Sequence, residues 1–154
     1  MAATPDTEAQ EARPRIRLAC AGCGRILTAP CRWGSDADRE PRGNRSGVPE
    51  VPRGVIIRAP NADILRWRDE DGRIVRELEA SPAGAIAFHP DDVFPDVLES
   101  CGFDSGCCGS DGLDGPNRAC LCGNLLATQW SDCWTVHEVR FLPAAVTELE
   151  ERAS

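Results

Sequence analysis

Apolar and polar residues alternate along this chain in short runs, and most of the runs are too brief to make helices. Arg15-Ile16-Arg17-Leu18-Ala19 alternates with a period of two and predicts a strand, with Arg25-Ile26-Leu27 continuing after a turn. Residues 34–54 carry glycine, proline, serine and charge with almost nothing apolar, which predicts a long surface loop or a disordered insertion. Val55-Ile56-Ile57-Arg58 predicts a buried strand. Residues 63–68 and 73–78 flank Asp69-Glu70-Asp71-Gly72, the signature of a hairpin with an Asp-Gly turn; a helix through residues 74–79 is the competing reading.

The second half continues the pattern. Ala85-Ile86-Ala87-Phe88 predicts a strand stopped by His89-Pro90, and residues 91–100 a helical turn broken at Pro95. Residues 101–123 read as loop. Glycines 106, 109, 112 and 115 recur there every third residue, over too short a span for a collagen-like helix. Residues 124–130 and 134–142 predict two strands joined by Ser131-Asp132-Cys133. The expected architecture is mostly β, one small domain over residues 16–143 with an insertion at 34–54. Residues 1–15 form a disordered tail, and residues 144–154 an acidic C-terminal tail or short helix.

Composition narrows the choice of partner. The chain has 154 residues, no tyrosine and one methionine, so its apolar supply is thin and a metal staple would help its core. Net charge is −8, unevenly spread: residues 1–60 hold ten arginines against seven acids, residues 61–154 seven against eighteen. An acidic C-terminal half repels phosphate backbones, leaving nucleic acid the least favoured partner, reachable only through the arginine-rich first third. Residues 1–15 lack the apolar stretch of a signal peptide, and no apolar run is long enough to span a membrane, so the cytoplasm is the expected compartment.

The nine cysteines change the picture most. At such density in a reducing compartment thiols point to metal rather than to disulfides. Cys20-Ala21-Gly22-Cys23-Gly24 and Cys120-Leu121-Cys122-Gly123 are knuckle-like turns, the second one residue shorter. Zinc takes four such ligands in a tetrahedron with Zn–S near about 2.3 Å. The glycine after each pair lets the backbone fold under the ion, where its amides hydrogen-bond to sulfur. We therefore expect Zn2+ on Cys20, Cys23, Cys120 and Cys122, clamping the N-terminal strand to the C-terminal hairpin. An iron–sulfur centre suits the same donors, and Cys107 or Cys108 could replace one ligand. Adjacent residues on an extended chain point opposite ways, so only one of Cys107 and Cys108 is expected to reach a given ion. Cys31 and Cys101 have no cysteine at ligand spacing and read as small apolar side chains. Cys133 and His137 have Cys-x3-His spacing for a second zinc, which His89 and spare cysteines would have to complete.

Taken in order, these motifs resemble the zinc-anchored β-tent superfamily and, locally, the peptide-methionine (R)-S-oxide reductases. The residues that carry the likeness are Cys20/Cys23, Phe103-Asp104-Ser105-Gly106-Cys107, Cys120/Cys122, Asp132-Cys133-Trp134 and Val139-Arg140-Phe141-Leu142-Pro143. The resemblance implies a zinc-anchored β fold and places Cys133 at the position of the reductases' catalytic cysteine. The chain departs from that pattern with Cys108-Gly109-Ser110-Asp111, Leu125-Leu126-Ala127-Thr128 and Trp134-Thr135-Val136, so the groups that bind and protonate a sulfoxide oxygen are missing or moved. Gly106-Cys107-Cys108-Gly109, Asp114-Gly115-Pro116-Asn117 and Asp132-Cys133-Trp134 are also similar to segments of Cys-rich bacterial proteins, a likeness that implies no activity.

Two roles follow. The first is a structural zinc-binding module that recognises a protein partner or a small ligand. The second is a thiol-dependent oxidoreductase with Cys133 as nucleophile. There Trp130 and Trp134 would form an apolar pocket for a methyl-sulfur group, and His137 would stabilise the thiolate against the unfavourable charge of Asp132. Cys107, Cys108 or Cys101 would resolve the sulfenic acid so formed.

Overall fold

A computed structural model describes residues 13–102 and 106–151. Phe103, Asp104 and Ser105 of the reductase-like segment lie outside the described residues, as do residues 1–12 of the tail. The described residues are mostly β. The strands are β1 (Arg15–Cys20), β2 (Arg32–Gly34), β3 (Val55–Arg58), β4 (Asp63–Arg68), β5 (Ile74–Ser81), β6 (Ile86–Phe88), β7 (Leu98–Ser100), β8 (Arg118–Cys120), β9 (Leu125–Trp130), β10 (Glu138–Phe141) and β11 (Val146–Glu151). Among the described residues helical structure is limited to short 3-10 turns, and no helix is long and apolar enough to cross a membrane.

The strands form three sheets. Seven lie in the order β2-β3-β6-β10-β9-β8-β7, antiparallel except for the β2–β3 pair. The hairpin β4–β5 and the pair β1–β11 are separate two-stranded sheets. The core lies between the large sheet and β1, where Leu18, Leu27, Ile56, Phe88, Leu126 and Phe141 are fully buried. Phe88 on β6 and Phe141 on β10 meet edge to face with ring centroids 5.4 Å apart, a favoured aromatic arrangement. The alternating run that predicted β1 sends Ile16 and Leu18 inward while Arg15 stays exposed.

The hairpin reading of residues 63–81 prevails over the helix because the turn has its own fastening. Asp69 accepts the amides of Asp71 and Arg73, each at 2.9 Å, and Gly72 takes φ +83°, where glycine meets no steric penalty. Beyond Gly34, which ends β2, the insertion at 34–54 contains no strand, but it is pinned at several points. Val51 is fully buried, and Arg39 reaches Glu138 at 3.0 Å.

Two expectations are corrected. Residues 101–123 are not loop throughout, because Arg118–Cys120 is β8, paired with both β7 and β9. Residues 146–151 are neither tail nor helix. They form β11, antiparallel to β1 along its whole length, with Arg15 opposite Glu151 and Cys20 opposite Val146. The acids that suggested a solvated end lie along the arginines of β1, and Arg17 Nε is 2.8 Å from Glu151 Oε1. Such exposed pairs add only about 0.2–1 kcal/mol each. The backbone ladder is the main tie.

Candidate metal centres

The first centre is built where strands end. β1 finishes at Cys20 and the chain turns back, the Gly24 amide donating to the Cys20 carbonyl at 2.8 Å and the Cys20 amide to the Arg25 carbonyl at 2.9 Å. β8 finishes at Cys120 with the same device: the Gly123 amide donates to the Cys120 carbonyl at 2.8 Å, and the Cys120 amide to the Asn124 carbonyl at 2.8 Å. Gly24 and Gly123 adopt φ +78° and +95°, a region that side chains disfavour. The shorter Cys120-x-Cys122 turn is therefore a full partner of the longer one.

The two turns face each other. Cys20 Sγ is 3.7 Å from Cys122 Sγ, Cys23 Sγ is 3.5 Å from Cys120 Sγ, and all four sulfurs lie within 4.8 Å of one another. A tetrahedron with metal–sulfur bonds of about 2.3 Å has sulfur–sulfur edges of about 3.8 Å, so the donor set fits a metal ion. Cys20 and Cys120 are buried in the core and Cys23 and Cys122 are exposed. The Gly22 amide (3.3 Å) and Asn124 Nδ2 (3.4 Å) both donate to Cys20 Sγ. Burial alone would raise the Cys20 thiol. Hydrogen bonds from Asn124 and from backbone amides outweigh it and bring it down to about 6, ready to ligate as thiolate. Cys120 is pushed up to about 12, first by burial.

The remaining cysteines divide differently from expectation. Cys31 is buried, as its isolation predicted, and burial together with the nearby Asp92 carboxylate pushes its thiol up to about 12. Cys107 and Cys108 do not point apart. The chain bends at 107–109, so the alternation of an extended strand does not apply, and their sulfurs are 3.4 Å from each other. Cys107 Sγ is also 3.4 Å from Cys133 Sγ, and with an oxygen of Asp132 the three sulfurs form a second group whose donor atoms lie within 4.8 Å of one another. Asp132 is more than an unfavourable charge beside Cys133. Its Oδ1 accepts the amides of Cys133 at 2.8 Å and Cys108 at 3.0 Å, and the Cys107 thiol at 3.5 Å. Burial would raise this carboxyl, but those amides and the thiol outweigh it and hold it below the usual carboxylate range.

The Cys-x3-His spacing of Cys133 and His137 does not bring the histidine into the second group. His137 Nε2 lies 3.0 Å from the Asp132 carbonyl oxygen and is not one of the clustered donors. His89 is likewise elsewhere, its Nδ1 accepting the Asp91 amide at 3.0 Å. Trp130 and Trp134 do line one cavity, of about 280 Å³, with Leu65, Leu113 and Val136. Cys133 is not among the residues that line it, and its thiol is not activated. The bond from Cys107 lowers the Cys133 thiol, but Cys108, burial and the Asp132 charge outweigh it, and the net shift is upward. Cys107 is raised to about 12 by its hydrogen bonds to Cys108, Cys133 and Asp132.

The adjacency of Asp132 to Cys133 and of Cys107 to Cys108 was the available signal for the second group. What the sequence lacked was the information that the two loops meet. No protein-family model matches the chain, and no curated protein and no solved structure shows significant similarity to it.

Proposed function

We propose that this protein is a structural zinc-binding module in which one Zn2+ on Cys20, Cys23, Cys120 and Cys122 fastens the β1–β11 pair to the large sheet, so that the loops present a surface to a protein partner or a small ligand. One observation carries the reading. Four sulfurs from turns about a hundred residues apart converge at the spacing of a tetrahedral site, with hydrogen bonds already aimed at one of them. Iron would accept the same sulfurs, but neither turn supplies the further cysteines of the usual iron–sulfur runs. A closed four-sulfur site leaves no coordination position for substrate, so the ion here holds structure and does no chemistry. The β-tent likeness belongs with this reading.

The oxidoreductase reading stands behind it. Trp130 and Trp134 line a cavity, but Cys133 is not among its lining residues, His137 is engaged with the Asp132 carbonyl and the Cys133 thiol is raised instead of lowered.

Elemental analysis of the purified full chain, followed by thermal melts before and after chelation, tests the proposal. Zinc is expected in the protein, and its removal is expected to abolish or strongly depress the cooperative transition. A metal-free preparation that melts no earlier than the untreated protein overturns it. In the same preparation, methionine sulfoxide with dithiothreitol is expected to be consumed at equal background rates by wild type and Cys133→Ser; turnover lost only in the variant restores the oxidoreductase.

A further inference from the structure

Cys107 Sγ lies 3.4 Å from both Cys108 Sγ and Cys133 Sγ, and the three sulfurs and an Asp132 oxygen all lie within 4.8 Å of one another, close enough to surround one ion. At the first centre, two pairs are held at 3.5 and 3.7 Å. The second group reproduces that spacing from two loops rather than from two strand ends.

The loops are built to hold it. Glycines 106 and 109 sit where a side chain would collide: a Cβ on Gly106 would strike the Gly109 carbonyl and come within 2.6 Å of Asp132 Oδ2, and one on Gly109 would come within 2.6 Å of the Ser131 carbonyl. The Ser131 amide donates to the Ser110 carbonyl at 2.8 Å, and the Ser110 amide to Ser131 Oγ at 3.0 Å. Asp132, almost wholly buried, joins both cysteine loops through its carboxylate. From the other side the insertion closes on the same turn, with Ser46 Oγ donating to the Cys133 carbonyl at 2.8 Å and Arg42 to the Trp134 carbonyl at 3.1 Å. Nothing in the structural role of the first centre requires this second convergence.

We propose that Cys107, Cys108 and Cys133, with the carboxylate of Asp132, form a second, solvent-facing site for a thiophilic divalent cation of the zinc class. Binding replaces three thiol protons, which leave to solvent, by three metal–sulfur bonds, and no oxidant or reductant is needed. All three cysteines are exposed, unlike Cys20 and Cys120, so this site exchanges its ion with solvent while the first retains one. It makes the protein a metal acceptor as well as a metal-stapled fold. The inference does not rest on the first centre, because the two groups share no residue.

Cobalt(II) titration of the reduced, metal-stripped full chain tests it, read by the sulfur-to-cobalt charge-transfer and visible ligand-field bands. Wild type is expected to take up two equivalents and to surrender one of them first to a competing chelator. Cys107→Ser/Cys133→Ser is expected to take up one equivalent, with an unchanged far-ultraviolet circular dichroism spectrum. Cys108→Ser, a milder change, is expected to weaken the second equivalent alone. Saturation of wild type and double variant at the same stoichiometry overturns the proposal. So does a Cys107–Cys133 disulfide that persists in the reductant and blocks uptake. Uptake of one equivalent by wild type and none by the double variant supports this site and removes the first.

Discussion

The two cysteine groups have nearly the same sulfur spacing and opposite surroundings. The first lies where β1 and β8 end, with two of its sulfurs in the core beside Leu18 and Leu126. The second lies on two bends, its three sulfurs exposed and its one buried member a carboxylate. A site made from strand ends inherits the rigidity of the sheets and returns it, because the sheets cannot separate while the sulfurs stay together. A site made from bends is held by a few hydrogen bonds to Asp132 and Ser131, and losing it leaves the sheets paired. The difference teaches that spacing alone does not tell whether a group holds the fold or serves a ligand; what the ligands are attached to does.

The sharpest break of this comparison is a pair of substitutions. In protein carrying one equivalent of Zn2+, Cys120→Ser is expected to cost more than about 3 kcal/mol, since it removes a metal ligand and places a hydroxyl in the core. Cys108→Ser is expected to stay within about 0.5 kcal/mol. Urea unfolding followed by circular dichroism measures both, and equal losses would erase the distinction.

A smaller effect is expected at Glu138, which fastens the insertion near the second group. This fully buried carboxylate meets Arg39 at 3.0 Å and Arg140 at 2.6 Å. Burial would raise it, but the two arginines outweigh that and hold it below the usual carboxylate range. Glu138→Gln is expected to cost about 2 kcal/mol near neutral pH, since it removes the buried charge shared by two guanidiniums, which keep only the more exposed Asp36 at 3.2 Å and Asp63 at 3.4 Å. Because the folded carboxyl titrates below the unfolded one, its contribution is complete above the unfolded value of about 4.3 and is lost as pH falls through the folded one. The gap between wild type and variant should therefore close in acid. A gap that stays constant between neutral pH and strong acid would show that the charge is not what matters.

The smallest expected effect refines the first centre. Asn124→Ala removes the hydrogen bonds to Cys20 Sγ and to the Ala145 carbonyl, which is 3.1 Å away. It should lower metal affinity by about 10–100-fold and stability by about 1 kcal/mol, read by competition with a chromogenic chelator and by melting. An unchanged affinity would mean that the turns alone set the site.

Much of the fold was legible along the chain because it depends on neighbours in sequence. The alternation of residues 15–19, the Asp-Gly turn at 69–72 and the apolar run at 85–88 each carry a local physical signal, and each appears where that signal lies. β11 was not legible. Val146-Thr147-Glu148-Leu149-Glu150-Glu151 is poor in strand formers and rich in acid, and it is extended only because the backbone and arginines of β1 lie alongside. The insertion at 34–54 read as unconstrained because its anchors, Glu138 and the carbonyls of Cys133 and Trp134, are about ninety or more residues away.

The sequence by itself determined that the chain is β-rich, that Cys20/Cys23 and Cys120/Cys122 form turns able to present paired thiols, and that Cys31 is an apolar filler. These are matters of period, spacing and glycine placement, which act over a few residues. Only the tertiary structure decided that Cys107, Cys108 and Cys133 share one group with Asp132, and that His137 turns to a carbonyl instead of a thiol. Those outcomes depend on which loops the sheet order brings together. That order follows from how the whole set of apolar faces is buried, a property that no local segment encodes.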